Sequence, residues 1–100
     1  MNLNKAYVYI LSNKKRSVLY IGVTNDLEER VHQHRIGIGS VFTKKYSVHY
    51  LVYYETHYQF VEAIKREKQL KEWKRSWKWE LIKASNPELL DLADDWTKVK

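Results

Sequence analysis

Cysteine is absent from this 100-residue chain. That excludes disulfides, zinc ribbons, iron–sulfur clusters and Cys nucleophiles, and it fits a reducing, cytoplasmic setting. Proline occurs once and glycine three times, too few for collagen-like or linker-rich sequence. No apolar run approaches the roughly 18 residues of a transmembrane span. The first residues, Met1 to Lys5, contain no apolar signal region, so secretion is not expected either.

What is present describes one small folded domain. The chain is 44% hydrophobic and 14% aromatic, which a disordered chain is not. Lys and Arg number 18 against 12 Asp and Glu, a net charge of +6. A small basic domain attracts polyanions, nucleic acid first among them. The charge is uneven. Residues 65–79 hold seven bases and two acids, interleaved with Trp73, Trp77 and Trp79. Residues 86–95 hold four acids and no base. Aromatics among bases suit stacking on nucleic acid, but a solvated helix with its Trp side in the core is the favoured reading.

Residues 6–11 and 18–23 are β-branched and aromatic and read as two strands joined by the polar loop 12–17. Thr24 or Asp26 can cap a following helix, on which Leu27, Val31, His34 and then Ile38 recur at helical spacing. Gly37 and Gly39 end it, and residues 39–47 read as a loop. Residues 48–55 read as a third strand. A long helix from about Tyr58 to Trp73 follows, with the stripe Phe60, Ala63, Ile64, Leu70 and Trp73, then a shorter one over 77–84. Pro87 is placed to open a last helical turn. The order β-β-α-β-α-α predicts an α+β fold, a three-stranded mixed or antiparallel sheet flanked by helices. The domain is expected over residues 1–90, with 91–100 as an acidic, then basic, tail.

Several residues stand out chemically. Glu67 lies four residues after Ala63 and three before Leu70, so its carboxylate falls on the apolar stripe. A half-buried carboxylate is costly unless it is paired or holds a metal; a salt bridge to a neighbouring Arg and a functional site weigh about equally. Arg30 and His34 share a helix face one turn apart, an anion-binding fork beside a group that trades protons near neutrality. Tyr7, Tyr9 and Tyr20 sit on the first two strands, where core packing is the ordinary role of a tyrosine.

In sequence order, Tyr7-Val8-Tyr9 and Tyr20-Ile21-Gly22 resemble the two short motifs that name the GIY-YIG endonuclease superfamily. The stretch from Gly22 to His34 resembles the family's Arg-bearing helix, with Arg30 and then His34. The segment from Ala63 to Lys71 resembles the helix that carries its metal-binding Glu, here Glu67. The resemblance covers about residues 5–90. It is nearest to small stand-alone members similar to the N-terminal catalytic domain of the bacterial excinuclease of DNA excision repair. The first motif reads Tyr-Val-Tyr rather than Gly-Ile-Tyr, and the Gly it replaces is not a chemical group. Asn86 is the one candidate for the late Asn of many members, and its position before Pro87 suits a helix stop.

The resemblance implies hydrolysis of a phosphodiester bond in nucleic acid, DNA being the expected polymer, with a single divalent metal, Mg²⁺ or Mn²⁺. Glu67 would hold the metal and Tyr9 would be the general base. A free Tyr is a poor base at neutral pH and needs cations near it, from Arg30, His34 or the metal. Tyr20 and Arg30 would bind the scissile phosphate, and His34 would orient Tyr9 or relay its proton. Lys14, Lys15, Arg16, Lys44 and Lys45, in loops, would contact the flanking backbone. Lys74, Arg75 and Lys78, farther along the helices, are expected to matter less. Family nucleases usually carry a second, target-selecting domain, so a targeting protein partner is expected. Two rival readings remain: a non-catalytic nucleic-acid-binding module, and a protein-interaction domain with residues 86–95 as the contact strip.

Overall fold

In the computed structural model, which describes residues 5–96, the segments richest in Val, Ile, Leu and Tyr form one sheet. They are β1 (Ala6–Ser12), β2 (Leu19–Thr24) and β3 (Tyr50–His57), in the order β2-β1-β3. Both pairings are antiparallel. Four helices accompany them: α1 (Leu27–Arg35), α2 (Val41–Lys45), α3 (Phe60–Glu72) and α4 (Arg75–Ser85). The fold is α+β, in the order β-β-α-α-β-α-α.

The central strand sorts its side chains by the two-residue period of a strand. Ala6, Val8 and Ile10 face α3 and α4, where they pack with Ala63, Leu70 and Ile82. Tyr9 and Leu11 face α1, where they pack with Leu27, Val31 and Leu51. β1 is covered on both faces, and this accounts for its nearly continuous apolar run. Leu70 and Ile82 are 0% exposed, each worth about 2–3 kcal/mol of burial.

Residues 39–47, expected as a loop, contain α2. Ser40 caps it by accepting from the Thr43 amide at 3.1 Å. Five residues are too few to show helical periodicity, and only Thr43 among them is buried. The expected apolar stripes are shorter than drawn: Ile38 is 68% exposed and Phe60 46%. Trp73 and Trp79 pack against the core, while Trp77 stands largely exposed. Pro87 opens a turn and not a helix.

The acidic segment, set apart by composition as a tail, packs on the domain as far as residue 96. Ala93 is fully buried, and Trp96 meets Tyr54 edge to face. Asp91 accepts from the Leu51 amide at 3.1 Å and pairs with Arg35 of α1 at 2.5 Å. The Leu92 amide donates to the Leu51 carbonyl at 2.7 Å. Register shifts between Ile10 and Leu11, whose partners are Tyr53 and Leu51. That leaves Val52 extra, and Asn86 donates to its carbonyl at 3.0 Å. The start of this edge strand is thereby shielded from pairing with other chains. Asn86 also donates to the Leu90 carbonyl and accepts from the Leu90 amide, so its amide is spent on the fold. The basic end of the expected tail, 97–100, lies outside the described residues.

Candidate active site

Tyr9 and Gly22 are cross-strand partners, and the Tyr9 ring lies directly over Gly22. A Cβ at position 22 would come within 2.9 Å of Tyr9 Cε2, and closer still to Cζ and the hydroxyl. Glycine there is what lets the phenol pass across β2 toward α1. Asp26 starts α1 by accepting from the Glu29 amide at 3.2 Å, which turns Arg30 and His34 toward that phenol.

The result is a hydrogen-bonded chain. The Tyr9 hydroxyl lies 3.0 Å from His34 Nε2, and Arg30 Nε donates to the same hydroxyl at 3.4 Å. His34 Nδ1 lies 2.8 Å from Thr43 Oγ1. Thr43 in turn donates to the Ser40 carbonyl at 3.3 Å. Thr43 Oγ1 also lies 2.9 Å from Ser40 Oγ; because the Tyr9 oxygen already accepts from Arg30, the arrangement in which Tyr9 donates to His34 Nε2 puts the proton of neutral His34 on Nδ1, with Thr43 accepting. Gly39 makes room for the ring, since a Cβ there would fall within 2.6 Å of His34 Cγ. Nothing in the sequence pattern marks Thr43 or Gly39 as part of a site. Thr43 sits on a helix without a sequence signature, and Gly39 reads as an ordinary helix stop.

Burial governs the electrostatics. It lowers the His34 pKa to about 4, with Arg30 and His49 acting in the same direction, so His34 is neutral. Burial raises the Tyr9 pKa to about 12, against the opposing hydrogen bond from Arg30. The cations expected to activate Tyr9 therefore do not suffice in the free protein. His34 carries no charge, and Arg30 is outweighed. For Arg30, burial works against the charge, but the Tyr9 and Tyr20 hydroxyls more than offset it and its pKa is raised. Arg30 also donates to Gln33 Oε1 and to the Gly39 carbonyl, both at 2.9 Å. The Tyr20 hydroxyl is a further hydrogen-bond partner.

Tyr20 stands diagonally from Tyr9, with ring centroids 6.4 Å apart, and sets its ring edge to face with His34 at 5.3 Å. Its other side stacks on Phe42 of α2 at 5.9 Å. Glu67 stands on α3, the helix that packs on the other face of the sheet against β1 and β2. It is close enough that its charge helps raise the Tyr9 pKa. Its side chain is 14% exposed and pairs with Lys71 at 3.0 Å, so the salt bridge expected with an Arg is made by a Lys one turn on.

The basic residues divide. Lys14, Lys15, Lys44 and Lys45 are exposed, the last two on α2 beside the site. Arg16 is consumed by the fold. It donates to the Leu89 carbonyl at 3.0 Å and to the Asn13 carbonyl at 2.9 Å, and lies over the Tyr50 ring at 4.6 Å. Lys78 reverses the expectation in the other direction: with Lys71, Tyr20 and Phe42 it lines a groove beside the site. The α3–α4 corner brings it back, and residue spacing alone does not show that.

The catalytic-domain model of the GIY-YIG family matches residues 5–80. A UPF0213 protein of Staphylococcus saprophyticus is 39% identical over 80% of this chain and 96% of its own length. One of Clostridium perfringens is 40% identical over 80% of this chain and 85% of its own. The solution NMR structure of a UPF0213 protein from Bacillus halodurans is 30% identical and superposes with a TM-score of 0.54, covering 84% of this chain and 88% of that one. The motif-bearing strands and helices, their order and these relatives agree: the chain belongs to the GIY-YIG family, among its small UPF0213 members.

Proposed function

We propose that this protein is a metal-dependent endonuclease that hydrolyses a phosphodiester bond in nucleic acid, with DNA as the expected polymer. The observation that carries the proposal is the Tyr9–His34–Thr43 chain, with Arg30 on the same hydroxyl and the Glu67 charge felt at Tyr9. A core tyrosine needs one hydrogen-bond partner; this one has a neutral base and a phosphate-binding cation together.

A divalent ion fits the residues present. Glu67 is half-buried and paired to one flexible, exposed cation, Lys71, which an incoming ion can displace. No group of three or more metal-ligating side chains occurs among the described residues, so the shell around Glu67 would be completed by waters and substrate phosphate, as Mg²⁺ or Mn²⁺ accepts. Bound there, the ion would neutralise charge developing on the phosphate and the leaving oxygen.

The chain's own groups handle the proton and the phosphate. Arg30 and the Tyr20 hydroxyl bind the scissile phosphate. Water attacks phosphorus and gives its proton to the Tyr9 oxygen, while the Tyr9 proton passes to His34 Nε2. The phosphorus–oxygen bond breaks, and the leaving oxygen takes a proton from solvent. In the free protein this transfer is uphill, since Tyr9 sits near 12 and His34 near 4. Substrate narrows the gap. Phosphate on Arg30 cancels the second influence depressing His34, and positive charge at Glu67 removes one that raises Tyr9. Lys14, Lys15, Lys44 and Lys45 hold the flanking backbone without reading sequence. The test is a panel of end-labelled single- and double-stranded DNA and RNA with Mg²⁺ or Mn²⁺. At least one form should be cut internally; a fully inert panel would overturn the proposal.

A further inference from the structure

A groove of about 310 Å³ runs along the outer edge of β2, immediately beside Tyr20. Its walls are Leu19, Tyr20, Ile21 and Phe42 on one side and Lys71 and Lys78 on the other. We propose that this groove holds the base of an unstacked nucleotide next to the scissile phosphate, with the base on Phe42 and the nucleotide's phosphate on Lys71 and Lys78.

Three features support that occupant. Phe42 stacks on Tyr20 at an interplanar angle of 29° and meets Tyr46 at a tilt with centroids 4.8 Å apart, so its ring is braced by two neighbours, yet it is 41% exposed. A braced, exposed aromatic face suits base stacking, which tolerates any base. β2 is an edge strand, and the outward backbone groups of such a strand are free to hydrogen-bond a base edge. The opposite wall is cationic. Lys78 Nζ reaches the Lys71 carbonyl at 3.4 Å, and Lys71 is held by Glu67. An apolar peptide would offer the two lysines no anion, whereas a nucleotide satisfies both walls. A base within a duplex stays stacked on its neighbours, so the groove favours single-stranded or frayed segments.

The position beside the scissile phosphate rests on the nuclease reading, but binding in the groove is measured apart from cleavage. The probes are a short oligothymidylate and the abasic sugar-phosphate polymer of equal length, titrated in chelator against wild type, Phe42→Ala, Phe42→Tyr and Lys71→Ala/Lys78→Ala. Phe42→Ala should weaken oligothymidylate by roughly tenfold or more, leave the abasic polymer unchanged, and be restored by Phe42→Tyr. The double lysine variant should weaken both polymers and reduce the salt slope by up to about two ions. Equal effects of Phe42→Ala on both polymers, or none on either, overturn the proposal. Because Phe42 is partly exposed, thermal melting confirms that each variant remains folded. Binding with this signature but no cleavage of any polymer would fail the nuclease reading alone; cleavage without the signature would fail the groove alone.

Discussion

Lowering the pH should destabilise the fold through His34. The residue is fully buried, and its pKa falls from the ordinary 6.5 to about 4. The unfolded chain therefore binds a proton that the folded chain refuses. Stability from this group is present above about pH 6.5 and is lost as pH falls toward 4. The full drop corresponds to about 3 kcal/mol, of which about 2 kcal/mol is lost between roughly pH 7 and pH 5. For a domain of this size that is a fall in melting temperature on the order of 10 °C. The measurement is urea and thermal unfolding of wild type and His34→Gln across that pH range. The Gln side chain keeps a polar partner for Tyr9 and Thr43 but does not titrate. The wild-type curve should fall with acid while the variant stays nearly flat. Parallel curves would refute the reasoning, for they would mean that His34 is not held neutral against Tyr9.

Tyr9→Phe should lower cleavage on the order of a hundredfold and cost about 1–3 kcal/mol of stability, because buried His34 Nε2 loses its partner at 3.0 Å; initial rates and urea curves read the two effects. Thr43→Val frees the His34 tautomer and should lower the cleavage rate with little change in nucleic-acid affinity, a split that single-turnover kinetics will show. Gly22→Ala should cost about 1–3 kcal/mol and displace the Tyr9 ring, measured as a lower melting temperature with reduced cleavage. In alkali, Tyr9 and Tyr53 are both raised to about 12, so the stability they carry is complete below pH 10 and lost as pH rises toward 12; phenolate absorbance should show two tyrosines ionising only as the fold melts.

The sequence displayed the strands, the capped α1 and the order of the site residues, because each leaves a local mark: β-branched runs, an Asp at a helix start, tyrosines and an Arg at short spacing. Glu67 was visible because a carboxylate on an apolar stripe is costly. What it did not display depends on distance or on very short elements. α2 has no period to detect, so Thr43 and the stacking face of Phe42 went unseen. Arg16 looked like a free loop base, yet its partner, the Leu89 carbonyl, lies 73 residues away. Lys78 lay beyond Glu67 along the chain but returns to Tyr20 through the turn between α3 and α4. The acidic segment looked like a tail because the backbone edge it covers has no signature in composition.

The most direct test of the account removes the Glu67 carboxylate. Wild type and Glu67→Ala are compared side by side, with Mg²⁺ or Mn²⁺ and with chelator, for cleavage and for binding of the same labelled nucleic acid. Wild type should cleave only with metal, Glu67→Ala should not cleave under any condition, and binding by both should be nearly unchanged. Cleavage that persists in chelator, or that survives in Glu67→Ala, would contradict this.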